Sequence, residues 1–263
     1  MVFNLMMWCM HKFTKSCTAF LILTLSLMIW AKTASAQTTD DIIEKHLAAS
    51  GGRAAFAKLK SRSSVGTLTL ATPAGNITGS IETWNQAPNK ARTLTKLDLT
   101  VLGLGQAVVD QRFDGESGYV LDSIQGNHDI TGTQLDSMKN GSFPNPFLNY
   151  KEMGASIELS GKEKVDERDA YLLISKPKAG TAVRAYIDAE SYLQIRTIVK
   201  VPVPQLGTDL DQVIEFSDFR DLDGIKIPFQ IKQSSPLQTI NISLTKVEHN
   251  KEIDSAMFSK PKD

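Results

Sequence analysis

Residues able to do chemistry are sparse in this chain. Three histidines lie beyond residue 36, His46, His128 and His249, and none stands in the His-Glu-x-x-His pattern that sets two imidazoles on one helix face for zinc. No Gly-x-Ser-x-Gly elbow presents a serine nucleophile, and no phosphate-cradling glycine loop occurs. His128 and Asp129 with Asp122 could be pictured around a metal. All three fall around one turn, where such side chains are ordinarily solvated. Asp218, Asp221 and Asp223 lack the spacing of a calcium loop and read better as part of an Asp-Gly hairpin. His46 sits beside an apolar stripe and reads as a packed residue. These residues predict a protein that is not an enzyme and uses no metal or cofactor. Paired carboxylates, whose approach is spatial, are the hydrolytic arrangement that sequence spacing leaves open.

Both cysteines, Cys9 and Cys17, lie in the first 36 residues. That stretch reads as a secretory signal: His11, Lys12 and Lys15 precede a short apolar run at 18–30, and Ala34-Ser35-Ala36 is a small-x-small cleavage site. The run has 13 residues, against roughly 20 for a helix that spans a bilayer. Cys17 precedes the run, where it cannot serve as a lipoprotein acylation site. The expected product is one domain over residues 37–263, soluble in the periplasm. It would carry no thiol nucleophile, disulfide or thiolate-bound zinc. Removing Lys12, Lys15 and Lys32 leaves 26 basic against 29 acidic residues. With no basic block, nucleic acid is not an expected partner.

The elements that would position any site begin with a helix. Thr38 or Thr39 caps it, Asp40 and Asp41 suit its positive end, and Ile42, Ile43, His46 and Leu47 make one stripe before Gly51-Gly52 ends it. A second short helix at 54–60 shows Phe56 and Leu59 on one face. Period two then dominates, at 65–70, 75–85, 90–99, 104–113 and 117–122, with Pro and Gly turns between. Trp84 is expected on the face opposite Ile81.

Residues 126–150 lose the alternation. They contain a helical turn or two at 133–139 and then Asn140-Gly141-Ser142-Phe143-Pro144-Asn145-Pro146-Phe147. A connection this long inside a compact domain covers something or binds something. It reads either as a plug or as a mobile cover over an apolar pocket. Seven further strands follow over 155–247. Among them, Pro228 suggests an edge or bulged strand, and Tyr171, Leu172, Leu173 and Ile174, apolar on both faces, suggest the centre of the sheet.

Eleven or twelve strands in one domain predict a mainly β (α+β) fold, because accumulated twist curls or splits a sheet of this size. The expected form is a strongly curved, incompletely closed antiparallel β-barrel, with the short helices as a lid on its concave side. A two-sheet sandwich is the alternative.

Several segments carry a family resemblance. They are the opening stretch from Ile42-Ile43-Glu44-Lys45-His46-Leu47 through Lys60, Phe113-Asp114-Gly115-Glu116-Ser117-Gly118-Tyr119, Ala185-Tyr186-Ile187-Asp188-Ala189-Glu190, and Phe219-Arg220-Asp221-Leu222-Asp223-Gly224 with the following Ile225-Lys226-Ile227-Pro228-Phe229. Together they resemble the exported outer-membrane lipoprotein-sorting-like group, over nearly all of 40–261. The resemblance implies an unclosed barrel with a helical lid and an apolar cavity for acyl chains. It also implies a lipid or acylated lipoprotein as partner, with transient membrane or envelope-protein contact; a self-filled structural or interaction module is the alternative. By strand parity, Ile77, Ile81, Leu97, Leu99, Leu193, Ile195, Ile227 and Phe229 are expected to wall the cavity. Ile43, Leu47, Phe143, Phe147 and Leu148 are expected to form the lid.

Overall fold

The computed structural model describes residues 37–72, 75–203 and 207–261, of which residues 38–261 fall in one compact unit. The signal-peptide reading of residues 1–36 lies outside the described residues. Helix α1 (Thr39–Ala49) opens on a capping box: the Thr38 backbone N–H donates to the Asp41 carboxylate at 3.0 Å, and the Asp41 N–H donates to Thr38 Oγ1 at 3.2 Å. Its stripe of Ile42, Ile43, His46 and Leu47 is buried, as the spacing predicts. Helix α2 (Arg53–Lys58) buries Phe56. No described helix is long and apolar enough to cross a membrane.

The strands are β1 (Ser61–Thr72), β2 (Gly75–Gln86), β3 (Lys90–Asp98), β4 (Gln106–Phe113), β5 (Gly118–Asp122), β6 (His128–Ile130), β7 (Ser156–Val165), β8 (Arg168–Lys176), β9 (Val183–Asp188), β10 (Gln194–Val203), β11 (Thr208–Leu222), β12 (Ile225–Ser234) and β13 (Thr239–His249). Helix α3 (Gly132–Lys139) lies between β6 and β7. All neighbouring strands pair antiparallel, in the order β6-β5-β4-β3-β2-β1-β13-β12-β11-β10-β9-β8-β7. The sheet is therefore two meanders, β1–β6 and β7–β13, joined where the first strand pairs with the last.

This overturns the expected barrel. The ladder is linear, β6 and β7 are unpaired edges, and the sheet is neither closed nor strongly curled. Its apolar face is covered instead by α1, α2 and the connection at 131–155. The main core contains Ile42, Ile43 and Leu47 of α1, Phe56, Phe147, and Leu173, Ile187, Ile225, Ile227 and Phe229 of the sheet. Helices that shield this surface remove the need for the sheet to roll upon itself.

Two further expectations change. The strand apolar on both faces, β8, is next to an edge, not central. Its Tyr171 and Leu173 join the helix-covered core, while Ala170 and Leu172 pack with Val165, Tyr186 and Ile195 on the other side. The proline-bearing strand β12 is interior in the order, between β11 and β13. Its ladder with β13 begins only at Gln230, so 225–229 have one strand neighbour. Lys226 N–H donates there to the carbonyl of Ser50 at the end of α1, 3.0 Å away, and Pro228, without a donor, occupies the same unladdered stretch. Trp84 pairs with Ser63 and Arg92, whose guanidinium lies 5.0 Å from the indole ring, on the face opposite Ile81.

The end of α1 fixes where the helices sit. Gly51 has φ +137°, and a Cβ there would lie 2.6 Å from the carbonyl oxygen of Gly224. Both the backbone conformation and the approach exclude a side chain. Gly51→Ala is expected to destabilise the fold by about 1–3 kcal/mol, measured as a lower urea midpoint with an unchanged m-value.

Candidate functional site

An apolar cavity of about 300 Å³ opens between the connection and strands β7 to β10. Pro146, Phe147, Tyr150 and Met153 form its cover; Ile157, Val183, Ala185, Thr197 and Val199 are among the residues of its floor. The cover is tied down at many points. The Tyr150 hydroxyl donates to Asp40 at 2.9 Å, Arg53 donates to the carbonyl of Leu148 at 3.4 Å, and Asn140 donates to the carbonyl of Ala179. Phe143 N–H donates to the carbonyl of Pro88 at 2.8 Å, on the other meander.

None of the eight residues proposed for the wall lines this cavity. Ile77 and Leu99 are buried with Ala107, and Leu97 packs against them, at the far end of the helix-bearing face. Ile81 is half-buried opposite Gly66. Ile227 and Phe229 belong to the main core under the helices. Leu193 is half-buried just ahead of β10. Ile195 packs with Leu172 and Tyr186 on the opposite face. The cause is a register shift in the β9–β10 ladder between Gln194 and Arg196. A bulge there places Gln194, Thr197 and Val199 toward the cavity and Ile195 away from it, so simple alternation from Val199 back to Ile195 assigns Ile195 to the wrong side.

The lid residues do gather. Ile43, Leu47 and Phe147 are buried in the main core, with Phe143 and Leu148 packed against it. Phe147 has two roles, core side chain and cavity cover, and its ring meets His46 edge-on at 5.1 Å between centroids. His46 is buried. Its Nδ1 lies 2.9 Å from the Tyr192 carbonyl, so it carries the proton, and its Nε2 faces the Asn145 amide at 3.4 Å. Burial lowers the His46 pKa below its usual value, and the bond to Tyr192 only partly offsets this.

A second, smaller cavity of about 140 Å³ lies beside His46 and is also lined by Ser50, Phe56, Arg62, Asn145 and Gln194. Arg62 points into it from β1, and its guanidinium stands 5.2 Å from the Phe143 ring centroid. Crowding by protein pushes Arg62 down to about 10. Arg62 is not among the site residues expected from the sequence. Yet the parity that turns Leu68 and Leu70 inward turns Arg62 inward as well, which was the available signal.

The chemistry considered from sequence disperses. Asp129 meets Lys260 at 3.2 Å, Asp122 caps the backbone of Ile124 and Gln125, and His128 Nδ1 contacts the carbonyl of Gly126. Asp218 pairs with Arg220, and Asp223 with His249. Among the described residues, no three metal-ligating side chains converge.

Comparison with solved structures gives the fold a place. A LolA superfamily protein from Nitrosomonas europaea superposes with a TM-score of 0.55 at 12% identity, covering 86% of this chain and 99% of its own. This is the LolA-like fold. A DUF1329 family protein from Desulfovibrio piger gives 0.55 at 13% identity over 85% of this chain and 98% of that one. A candidate outer membrane lipoprotein-sorting protein domain from Vibrio parahaemolyticus gives 0.54 at 11% identity, over 83% and 94%. No protein-family model and no curated protein matches the sequence. At these identities the LolA-like likeness is one of fold.

His46 and His249 both have pKa values lowered, chiefly by burial. Each binds its proton more readily in the unfolded chain, so their contribution to stability is complete above about pH 6.5 and declines as pH falls below it. The decline is expected to reach at most about 1.4 kcal/mol per pH unit per histidine. His46→Gln should flatten part of that slope, read from urea unfolding at pH 7.5, 6.5 and 5.5.

Proposed function

We propose that this chain is a non-catalytic exported protein of the bacterial envelope that carries or senses a lipid or acylated protein. An acyl chain would lie in the cavity beneath Phe147. The observation that carries the reading is that cavity: about 300 Å³, floored by strand side chains and roofed by the connection. Its volume stands at the lower end of small-molecule sites, roughly 300–1,000 Å³, which suits one chain better than several. Each buried methylene contributes about 0.8 kcal/mol, so one chain needs no large polar clamp. Residues 1–36 would be the secretory signal and 37–263 the single functional domain, released in the periplasm. The cover would loosen to admit the chain, with Gly141 and the ends of the connection as its hinges, and no chemical step is required.

A structural or interaction module is the second reading. It is favoured by the depth of Ile43, Leu47 and Phe147, which are 2%, 1% and 4% exposed and serve the core whether or not a ligand is present. Replacing Phe147 would confuse the two, because removal of a buried aromatic costs about 3–5 kcal/mol. Thr197 is a cleaner position, being a half-buried strand residue on the cavity floor. Delipidated protein is expected to take up a fluorescent fatty acid saturably at one site, and Thr197→Phe to reduce that uptake at least tenfold with the thermal midpoint little changed. Non-saturable uptake, or uptake indifferent to Thr197→Phe in a folded variant, would leave the interaction-module reading.

A further inference from the structure

The chain contains eight arginines beyond residue 36, and seven are ion-paired: Arg53 with Glu44, Arg92 and Arg112 with Asp110, Arg168 with Asp188, Arg184 with Asp211, Arg196 with Glu215, and Arg220 with Asp218. Arg62 is the exception. It has neither a carboxylate partner nor a hydrogen bond among the described residues; its close polar-type contact is the face of Phe143. A guanidinium has five N–H donors in a planar fork, and one aromatic face satisfies none of them. A cation held among protein atoms without a counter-charge is costly.

The surroundings of Arg62 are those of a receptor for an anion. Lys226 borders the small cavity with its ammonium paired to Asp221 at 3.3 Å, which leaves Arg62 as the cation without a counter-charge there, and among the described residues no acidic side chain lines the cavity. Asn145 and Ser50 add neutral polar groups at its wall, and Phe56, Phe216 and Phe219 add apolar ones. The volume, about 140 Å³, is that of a head group and not of a lipid. The cavity also adjoins the larger one. Gln194 lines both, and consecutive residues of the connection divide between them, Pro144 and Asn145 to the charged side, Pro146 and Phe147 to the apolar side.

We propose that the Arg62 cavity is a head-group subsite for a single-chain amphiphile ending in an anionic oxygen group, a carboxylate or phosphate, whose chain occupies the cavity beneath Phe147. The inference rests on the lipid-binding reading above and adds to it a ligand charge, a chain number and an orientation. Arg62 forms a bidentate, charge-assisted pair with the head, in the geometry for which a guanidinium is suited. The Phe143 ring holds the guanidinium from one side and leaves its edge free for the ligand.

Displacement of Nile red, a neutral probe, by dodecanoate and by 1-dodecanol separates head-group recognition from chain burial. Wild-type protein is expected to require at least tenfold less dodecanoate than dodecanol, the gain of a charge-assisted hydrogen bond. Arg62→Met should erase that gap by weakening the acid while leaving the alcohol within about twofold. Inorganic phosphate at millimolar concentration should shift the dodecanoate curve by less than twofold. Equal displacement by acid and alcohol in the wild type overturns the head-group assignment alone. Failure of both to displace the probe overturns the lipid-binding reading with it. Full competition by phosphate would make this a free-anion site, which also overturns the amphiphile. The wild-type comparison decides even where Arg62→Met does not fold.

Discussion

Pairing of β1 with β13 constrains the rest of the molecule. Ten residue pairs, from Arg62 opposite His249 to Ala71 opposite Thr239, tie the start of the sheet to its end. Two meanders are thereby fused at their first and last strands, and the remaining strand ends, β6 and β7, are left at opposite edges. Those two strands are consecutive in sequence. Their connection has to pass from one side of the sheet to the other, and the apolar face is the surface that gains from being covered. Phe143, Phe147 and Leu148 lie on that path and pack onto the main core. A long loop that would be costly to order in isolation is held by apolar burial and by polar contacts to α1, α2 and both meanders.

The same constraint explains how the face is shielded without closure. Helix α1 covers strands of the second meander, and its last turn takes the place of a missing strand partner, with the Ser50 carbonyl receiving the Lys226 N–H. Gly51 and Gly224 then meet backbone to backbone. The far end of the face, around Ile77, Leu99 and Ala107, forms its own small cluster beyond the helices. On the opposite face, the Asp110 carboxylate receives both Arg92 and Arg112, and the Ser259 carbonyl of the C-terminal segment accepts from Arg112. Although burial acts to raise the Asp110 pKa, the two guanidiniums hold it below the usual carboxylate range.

Local chemistry was readable from the sequence where it was self-contained. The cap at Thr38, the stripe through Leu47, the turns and the alternation of Ile225, Ile227 and Phe229 each depend on residues a few positions apart, and each emerged in the expected element. Closure was not readable, because whether a sheet rolls up depends on what covers it, and the covering segment comes from a distant part of the chain. The short strand β6 was hidden in a stretch that seemed irregular. The bulge beside Ile195 carries no glycine or proline to announce it, and one extra residue there was enough to reverse a face assignment. Leu193, Ile195 and the expected wall residues of the first meander therefore lie away from the cavity that Val183, Thr197 and Val199 line. The burial of the connection was legible, because aromatic rings between prolines have few stable places outside a core.

Arg62 shows why charge and burial must be read together. Seven arginines obey the rule that a constrained guanidinium finds a carboxylate, and most do so in exposed or half-exposed positions where the gain is small. The eighth lies in a more confined place and lacks such a partner among the described residues. Packing alone does not account for it, since a leucine at the same inward position would extend the stripe begun by Leu68 and Leu70 without any desolvation cost. A structural cation would require an acid nearby, and among the described residues no carboxylate lines the Arg62 cavity. What distinguishes the position is the cavity in front of it and the apolar cavity across Gln194. The proposed amphiphile would satisfy both at once: its head would supply the counter-charge, and its chain would fill the space under Phe147.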